Sequence, residues 1–247
     1  MTPQDIYLSV VVPAYNEAGR ITKTLRRFHQ YFAANSFSYE ILVVLDGPTD
    51  GTRAVLKHLA GEIEHLRIID RVENRGKGYT VKEGLLKASG QIRLFTDADD
   101  STDIAHFGLM KPLFDQGYDL VIASRNPVDV AGAQQTISQA WYKRLVGRLG
   151  NGIVQIMAVR DIWDTQCGFK AFRAEVAERI FSQTMIDGWG FDIEVLAIAQ
   201  AAKYRIGIIP ARWINDDRSH VGLFDYLRVL GETVKVGYKL ATGRYRR

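Results

Sequence analysis

The chain has 247 residues, 47% hydrophobic and 24% charged, which is enough for one large domain with an ample core. Its net charge of only +4 gives no general attraction for nucleic acid, and Cys167, its single cysteine, excludes a disulfide framework within one chain. No apolar run is long enough to cross a membrane and no signal-peptide pattern follows Met1, so a cytoplasmic protein in a reducing compartment is expected.

Tyr7 to Val12 is a β-branched run that reads as the first strand, stopped by Pro13, which cannot donate to a ladder. Pro13-Ala14-Tyr15-Asn16-Glu17 follows. A helix then runs to about Ala34, with Leu25, Phe28 and Phe32 on its apolar face. Glu40 to Leu45 reads as a second buried strand. It ends in Asp46-Gly47-Pro48-Thr49-Asp50-Gly51-Thr52, a loop of turn formers in which Asp50 or Thr52 can cap the next helix. Leu66 to Ile69 is the third strand. Asn74-Arg75-Gly76-Lys77-Gly78 opens a helix that runs to about Ala88 and is broken by Gly90. Ile92 to Phe95 is the fourth strand and leads into Asp97-Ala98-Asp99-Asp100. Leu120 to Ala123 is the fifth and ends in Ser124-Arg125.

The second half is less regular. Trp141 to Val159 reads as a helix with Trp141, Leu145, Leu149, Ile153 and Ile156 on one face, flanked by Lys143, Arg144 and Arg148. A strand is expected within Asp164 to Phe172, a helix over Gly190 to Ala202, and one or two strands around Pro210. Leu223, Leu227, Leu230, Val234 and Tyr238 form a last amphipathic stripe. The last thirteen residues hold Lys235, Lys239, Arg244, Arg246 and Arg247 with no acid among them, a tail that favours anionic surfaces.

Strands alternating with helices over residues 6 to 125 predict an α/β fold, a mainly parallel sheet with helices on both faces. In such sheets ligands collect at the carboxyl ends of strands. Glu17, Asp46 and the Asp97/Asp99 pair all stand at such ends. Side chains alternate along a strand, so Asp97 and Asp99 can project to one side of its tip. Carboxylates held that close raise each other's pKa unless a cation neutralises them. A hard ion, Mg²⁺ or Mn²⁺, takes one or two protein carboxylates and completes its shell with substrate phosphates. A solvated acidic turn with a helix N-cap before Ile104 is the alternative.

In their order, Pro13-Ala14-Tyr15-Asn16-Glu17, Asp46 to Thr52, Asn74 to Gly78 and Asp97-Ala98-Asp99 resemble the inverting family-two glycosyltransferases of GT-A fold. Asp164-Thr165-Gln166-Cys167-Gly168-Phe169-Lys170 and Gly190-Phe191-Asp192-Ile193-Glu194 narrow the resemblance to dolichyl-phosphate β-glucosyltransferases and their prokaryotic polyprenyl-phosphate relatives. It spans about residues 6 to 222, which implies a catalytic domain of residues 1–222 and a basic amphipathic extension of residues 223–247.

The resemblance implies that Pro13, Tyr15, Glu17 and Asp46 line a nucleoside pocket and that Asp97 and Asp99 hold Mg²⁺ or Mn²⁺ on the donor diphosphate. Lys77, among glycines before a helix, suits anion contact. Arg125 and Arg148 match positions that bind the acceptor phosphate, with Arg144 one turn from Arg148 as the alternative. There is no Ser-His-Asp set and no histidine pair at metal spacing. A phosphomonoester acceptor needs neither, because its second pKa is about 6 and its oxygens are anionic at neutral pH. Two departures stand out. Mannosyl relatives carry Gln where this chain has Ser101, two residues after the second metal Asp. The family favours Lys after the Ser near the C-terminal end, and here Ser219 precedes His220, which would take that place on the acceptor phosphate.

The expected activity is transfer of glucose from UDP-glucose to a polyprenyl or dolichyl phosphate, with peripheral contact at the cytoplasmic face of a membrane. Mannose transfer from GDP-mannose and a catalytically silent nucleotide-sugar binder are the alternatives. A phosphatase of haloacid dehalogenase type would place Asp-x-Asp after the first strand, whereas here it follows the fourth.

Overall fold

The computed structural model describes residues 6–135, 150–213 and 223–245. Strands β1 (Leu8–Ala14), β2 (Tyr39–Leu45), β3 (Leu66–Ile69), β4 (Ile92–Thr96) and β5 (Leu120–Ser124) form at the predicted apolar runs. A short β6 (Gln134–Gln135) precedes β7 (Phe169–Arg173), β8 (Ile206–Pro210) and β9 (Arg212–Trp213). Seven strands make one sheet in the order β3-β2-β1-β4-β7-β5-β8, and β6 pairs with β9 separately. Neighbours in the large sheet are parallel except β7, which runs antiparallel to both β4 and β5.

Both faces of this sheet are covered, so its strands are apolar on both sides rather than alternating. Along β1, Leu8, Val10, Val12 and Ala14 enter one core. Val11 enters the other. The first core is closed by α1 (Ile21–Ala33), α2 (Thr52–Leu59) and α4 (Phe107–Asp115), and Leu25, Phe28 and Phe32 of α1 are buried there as expected. The second is closed by α3 (Lys77–Lys87), α5 (residues 150–157), α6 (Ala174–Phe181), α7 (Phe191–Ala201) and α8 (Leu223–Ala241).

One expectation needs correction, and two helices turn faces that the sequence left open. β1 does not stop at Pro13 but pairs with β2 through Ala14, while its pairing with β4 ends at Val11. Ala14 O accepts Asp46 N–H on the β2 side. Pro13 therefore faces the β4 side, where no ladder bond is asked of it. In α5, Val154 turns inward while Ile156 of the predicted face is 81% exposed. Residues 141–149 of that predicted helix lie outside the described residues. In α8, Leu227, Val234 and Tyr238 of the predicted stripe face out, 60%, 46% and 60% exposed. The inward face is Val229, Thr233, Val236 and Leu240, at helical spacing. Thr233 fits it because its hydroxyl donates to Val229 O within the helix, which hides its polarity.

Candidate active site

The order β2-β1-β4 sets the carboxyl ends of these three strands side by side. Because β7 is antiparallel, its leading segment, residues 164–168, arrives at the same edge. Asp97 stands just past β4 and its N–H donates to Gly168 O at 3.2 Å. A Cβ on Gly168 would stand 2.5 Å from Asp97 Cγ, so only glycine leaves room for that carboxylate. Lys77 Nζ lies 2.5 Å from Asp97 Oδ1. It also stands 5.0 Å from the ring centroid of Trp189. Burial alone would lower the Lys77 pKa, but Asp97 and Asp192 outweigh it and raise it.

The turn after β4 is pinned from α1. Thr24 Oγ1 donates to Ala98 O at 2.7 Å. Arg27 pairs with Asp100, and its second amino group donates to Asp103 at 2.8 Å. Asp100 adopts a left-handed φ of 58°. Asp99 Oδ1 accepts Ser101 N–H at 3.0 Å. The helix cap before Ile104 is made by Asp103, whose carboxylate accepts Ala105 N–H. Capping therefore does not consume Asp97 or Asp99.

Asp50 does not cap α2 as a free-standing N-cap. It accepts Thr52 N–H at 2.9 Å and Ala18 N–H at 3.2 Å. Thr52 Oγ1 in turn accepts Glu17 N–H at 2.7 Å. The loops after β1 and β2 are thus stitched together, with Asn16 Oδ1 accepting Thr49 N–H as a further tie. Glu17 pairs with Arg20. Burial raises its carboxyl pKa, Arg20 works against that, and Asp99 and Asp97 push it further up. Tyr15 is exposed at the rim and Pro13 half-buried behind it.

Asp46 is 4% exposed. It accepts Arg75 N–H at 2.8 Å, Gly76 N–H at 3.0 Å and Arg71 Nη2 at 2.5 Å. A carboxylate has about four acceptor positions, so three are already filled by its own chain. Arg71 also donates to Glu83 at 2.7 Å and to Thr80 Oγ1 at 2.6 Å. The Arg75 guanidinium lies 3.5 Å from the Tyr79 ring centroid. Two N–H groups in the first turn of α3 are occupied too, since Gly78 N–H and Tyr79 N–H both donate to Asp187 O. The Lys77 side chain is the cation at this helix start.

Arg125 grips Asp164 with its fork, at 2.8 Å through Nε and 2.7 Å through Nη2, and with its own N–H at 2.7 Å. Burial would raise the Asp164 pKa, but the guanidinium prevails and holds it below the usual carboxylate value. Arg148 and His220 lie outside the described residues.

Several site residues carried no role in the sequence reading. Lys170, in the middle of β7, is fully buried and donates to Asp192 at 2.6 Å and to Cys167 O at 2.6 Å. Asp192 is raised by burial, with Lys170 and Lys77 opposing. The available signal was a lysine inside the apolar strand Phe169-Lys170-Ala171-Phe172, since a buried lysine demands a partner. Trp189 gave no such signal. The Cys167 thiol is pushed up to about 12 by burial, which makes it a packing residue rather than a nucleophile.

Among the described residues no group of three His, Cys, Asp or Glu side chains is placed to hold a metal. Asp97 and Asp99 are a pair of carboxylates with hard oxygen donors, and the Lys77 ammonium already offers a cation to one of them. That donor set suits an ion whose other ligands come from substrate phosphates.

The sequence model of Glycosyl transferase family 2 matches residues 9–181. Dolichyl-phosphate beta-glucosyltransferase of Drosophila melanogaster is 33% identical over 233 residues, covering 88% of this chain and 70% of that protein. The Homo sapiens protein of the same name is 32% identical over 254 residues, covering 97% and 77%. Among solved structures, glucosyl-3-phosphoglycerate synthase from Mycobacterium tuberculosis, crystallised with Mn²⁺, UDP and glucosyl-3-phosphoglycerate, superposes with a TM-score of 0.66. The two are 19% identical, covering 96% of this chain and 80% of that one. The sheet order, the inserted antiparallel strand and this superposition are those of the GT-A fold, and the chain belongs to glycosyl transferase family 2.

Proposed function

We propose that this protein transfers glucose from UDP-glucose to a dolichyl or polyprenyl phosphate, with inversion at the anomeric carbon. The observation that carries the reading is the similarity, over 88% and 97% of this chain, to dolichyl-phosphate beta-glucosyltransferases. The site geometry supports it: Asp97, Asp99 and Lys77 converge beside the loops after β1 and β2.

Asp97 and Asp99 would hold Mg²⁺ or Mn²⁺. Bound there, the ion neutralises charge on the departing diphosphate. Lys77, already cationic beside Asp97, is placed to turn to the same phosphates. Tyr15 and Pro13 supply a rim for the nucleoside, and Asp46 holds the 71–76 loop that faces it while keeping an acceptor position for the base or ribose. The acceptor phosphate oxygen attacks the anomeric carbon from the face opposite the leaving group. No general base is required, and the buried carboxylate of Asp192 is accordingly committed to Lys170. Arg125 would present the Asp164-bound guanidinium to the acceptor phosphate, with Arg148 and His220 as further candidates.

A lipid-borne acceptor demands work at a surface. Met157 of α5 stands against Gly237 of α8, and Ile156 on the one helix and Val234 and Tyr238 on the other are exposed. Lys235, Lys239 and Arg244 accompany this exposed apolar patch. Such a face suits the headgroup region of an anionic membrane. No described helix is long and apolar enough to cross one.

The test is a donor screen of the purified protein with UDP-glucose and GDP-mannose, a short polyprenyl phosphate, and Mg²⁺ or Mn²⁺, read by mass spectrometry. Glucosyl transfer is expected, abolished by excess chelator and nearly abolished by Asp99→Asn. Transfer of mannose alone, or no transfer with either donor, overturns the reading.

A further inference from the structure

α8 has a second face that points into the site. The Glu232 carboxylate, 9% exposed, accepts Gly190 N–H at 2.8 Å. It is seated between two glycines: a Cβ on Gly188 would lie 2.6 Å from Glu232 Oε1, and one on Gly190 2.6 Å from Oε2. Between them stands Trp189, the ring beside the Lys77 ammonium. The other end of the same loop is held from α7, which the residues after α8 brace in turn. Glu194 Oε2 accepts Met185 N–H and Ile186 N–H, and its Oε1 accepts the Tyr245 hydroxyl at 2.6 Å. Between these two grips, Asp187 O accepts two N–H groups in the first turn of α3, and a Cβ on Gly78 would stand 2.9 Å from Gly188 O. The 185–190 loop is thus clamped between the helix that carries Lys77 and the C-terminal helix.

We infer that Glu232 is a positioning residue for the donor side of the site, fixing the 185–190 loop so that Trp189 holds Lys77 at the diphosphate. The inference rests on the reading of Asp97, Asp99 and Lys77 as the donor-phosphate site and adds to it a residue that touches no substrate. It makes α8 part of the catalytic machinery: one face is free for a surface while the other holds the wall of the pocket. Arg228, 68% exposed at its side chain, lies 3.5 Å from Glu232 and joins the two faces.

The experiment titrates UDP and GDP, each with Mn²⁺, into the intact 247-residue chain by calorimetry, alongside donor and acceptor KM. Glu232→Ala should weaken nucleotide binding and raise donor KM by about tenfold, as expected for losing a buried charge-assisted hydrogen bond, while acceptor KM stays at the wild-type value. Glu232→Gln, which keeps an acceptor for Gly190 N–H, should restore most of the binding. Gly188→Ala, which pushes the carboxylate from its seat, should reproduce the alanine phenotype and serves if Glu232→Ala does not fold. Val236→Ala removes core packing from the same helix without touching the loop, so it should lower the melting temperature and leave nucleotide binding intact. Wild-type affinity in both Glu232→Ala and Gly188→Ala overturns the inference, as does an equal loss in Val236→Ala. A wild-type chain that binds neither nucleotide overturns the donor-site reading as well.

Discussion

A methyl group on Gly168 and the carboxylate of Asp97 compete for one volume, while the Gly168 carbonyl fixes the Asp97 backbone. Gly168→Ala is therefore expected to turn the Asp97 side chain out of the site while the sheet persists. Calorimetry should show Mn²⁺-dependent nucleotide binding lost, and a thermal melt should show a fold still cooperative. Arg125 poses a different problem. Its fork is engaged by Asp164, so Arg125→Ala removes a cation and also leaves a buried carboxylate unpaired, a loss of about 3–5 kcal/mol. A urea titration of the variant should show that cost, and acceptor KM can be interpreted only beside it. The pair also sets an acid limit. The folded pKa of Asp164 is depressed below its ordinary 3.8, so its contribution is fully present above that value. It is lost as pH falls below 3.8 and through the lower folded value. Asp164→Asn should flatten this part of the stability profile, measured by melting temperature against pH. The carboxylates of the site were legible because they end apolar runs. Their partners Arg71, Lys77 and Arg125 were legible only as residues, since nothing local tells a guanidinium which of several acids the fold will bring to it.

The strands were readable for the reason that also limited the reading. β1, β2, β4 and β5 are covered on both faces, so each is a short unbroken apolar run bounded by turn formers. Their neighbours are not written in those runs: β7 enters between β4 and β5, out of chain order and antiparallel, and local pattern carries no such choice. The apolar stripe of α8 was legible but the face it turns to the core was not, because Thr233 looks polar in sequence while its hydroxyl is satisfied inside the helix. The turn after β4 shows how one element disciplines another. α1 holds it through Thr24 and Arg27, and Asp100 accepts a left-handed φ under that hold. Asp100→Gly gives up the ion pair but relieves the backbone, whereas Asp100→Ala gives up the pair and keeps the strain. The alanine variant should therefore be less stable than the glycine variant by about 1 kcal/mol in denaturant titrations. Equal stability would mean that Arg27, not the backbone conformation, governs this turn.

Thirty-two basic residues against twenty-eight acidic ones make the molecule only mildly cationic, so any attraction to a membrane must come from where charge sits. The C-terminal helix sets Lys235 and Lys239 beside the exposed Val234 and Tyr238, and α5, which touches it at Met157 and Gly237, exposes Ile156. Each basic residue near an anionic surface contributes about 1 kcal/mol, and the apolar side chains add burial in the headgroup region. Deleting residues 223–247 would be a poor test of this contact. It would strip Gly190 N–H and Glu194 of their partners and uncover Val236's side of the core along with the outer face. Val234→Glu with Tyr238→Glu changes the outer face alone, because both side chains already stand in solvent. The double variant should fold with an unchanged melting temperature and bind nucleotide as the wild type does. Its sedimentation with anionic liposomes should fall, and the wild type's should fall likewise as salt is raised. Turnover should drop on a bilayer-borne polyprenyl phosphate and hold on a short soluble analogue. Equal turnover losses on the two acceptors would instead tie Val234 and Tyr238 to the fold and remove this face from the membrane contact.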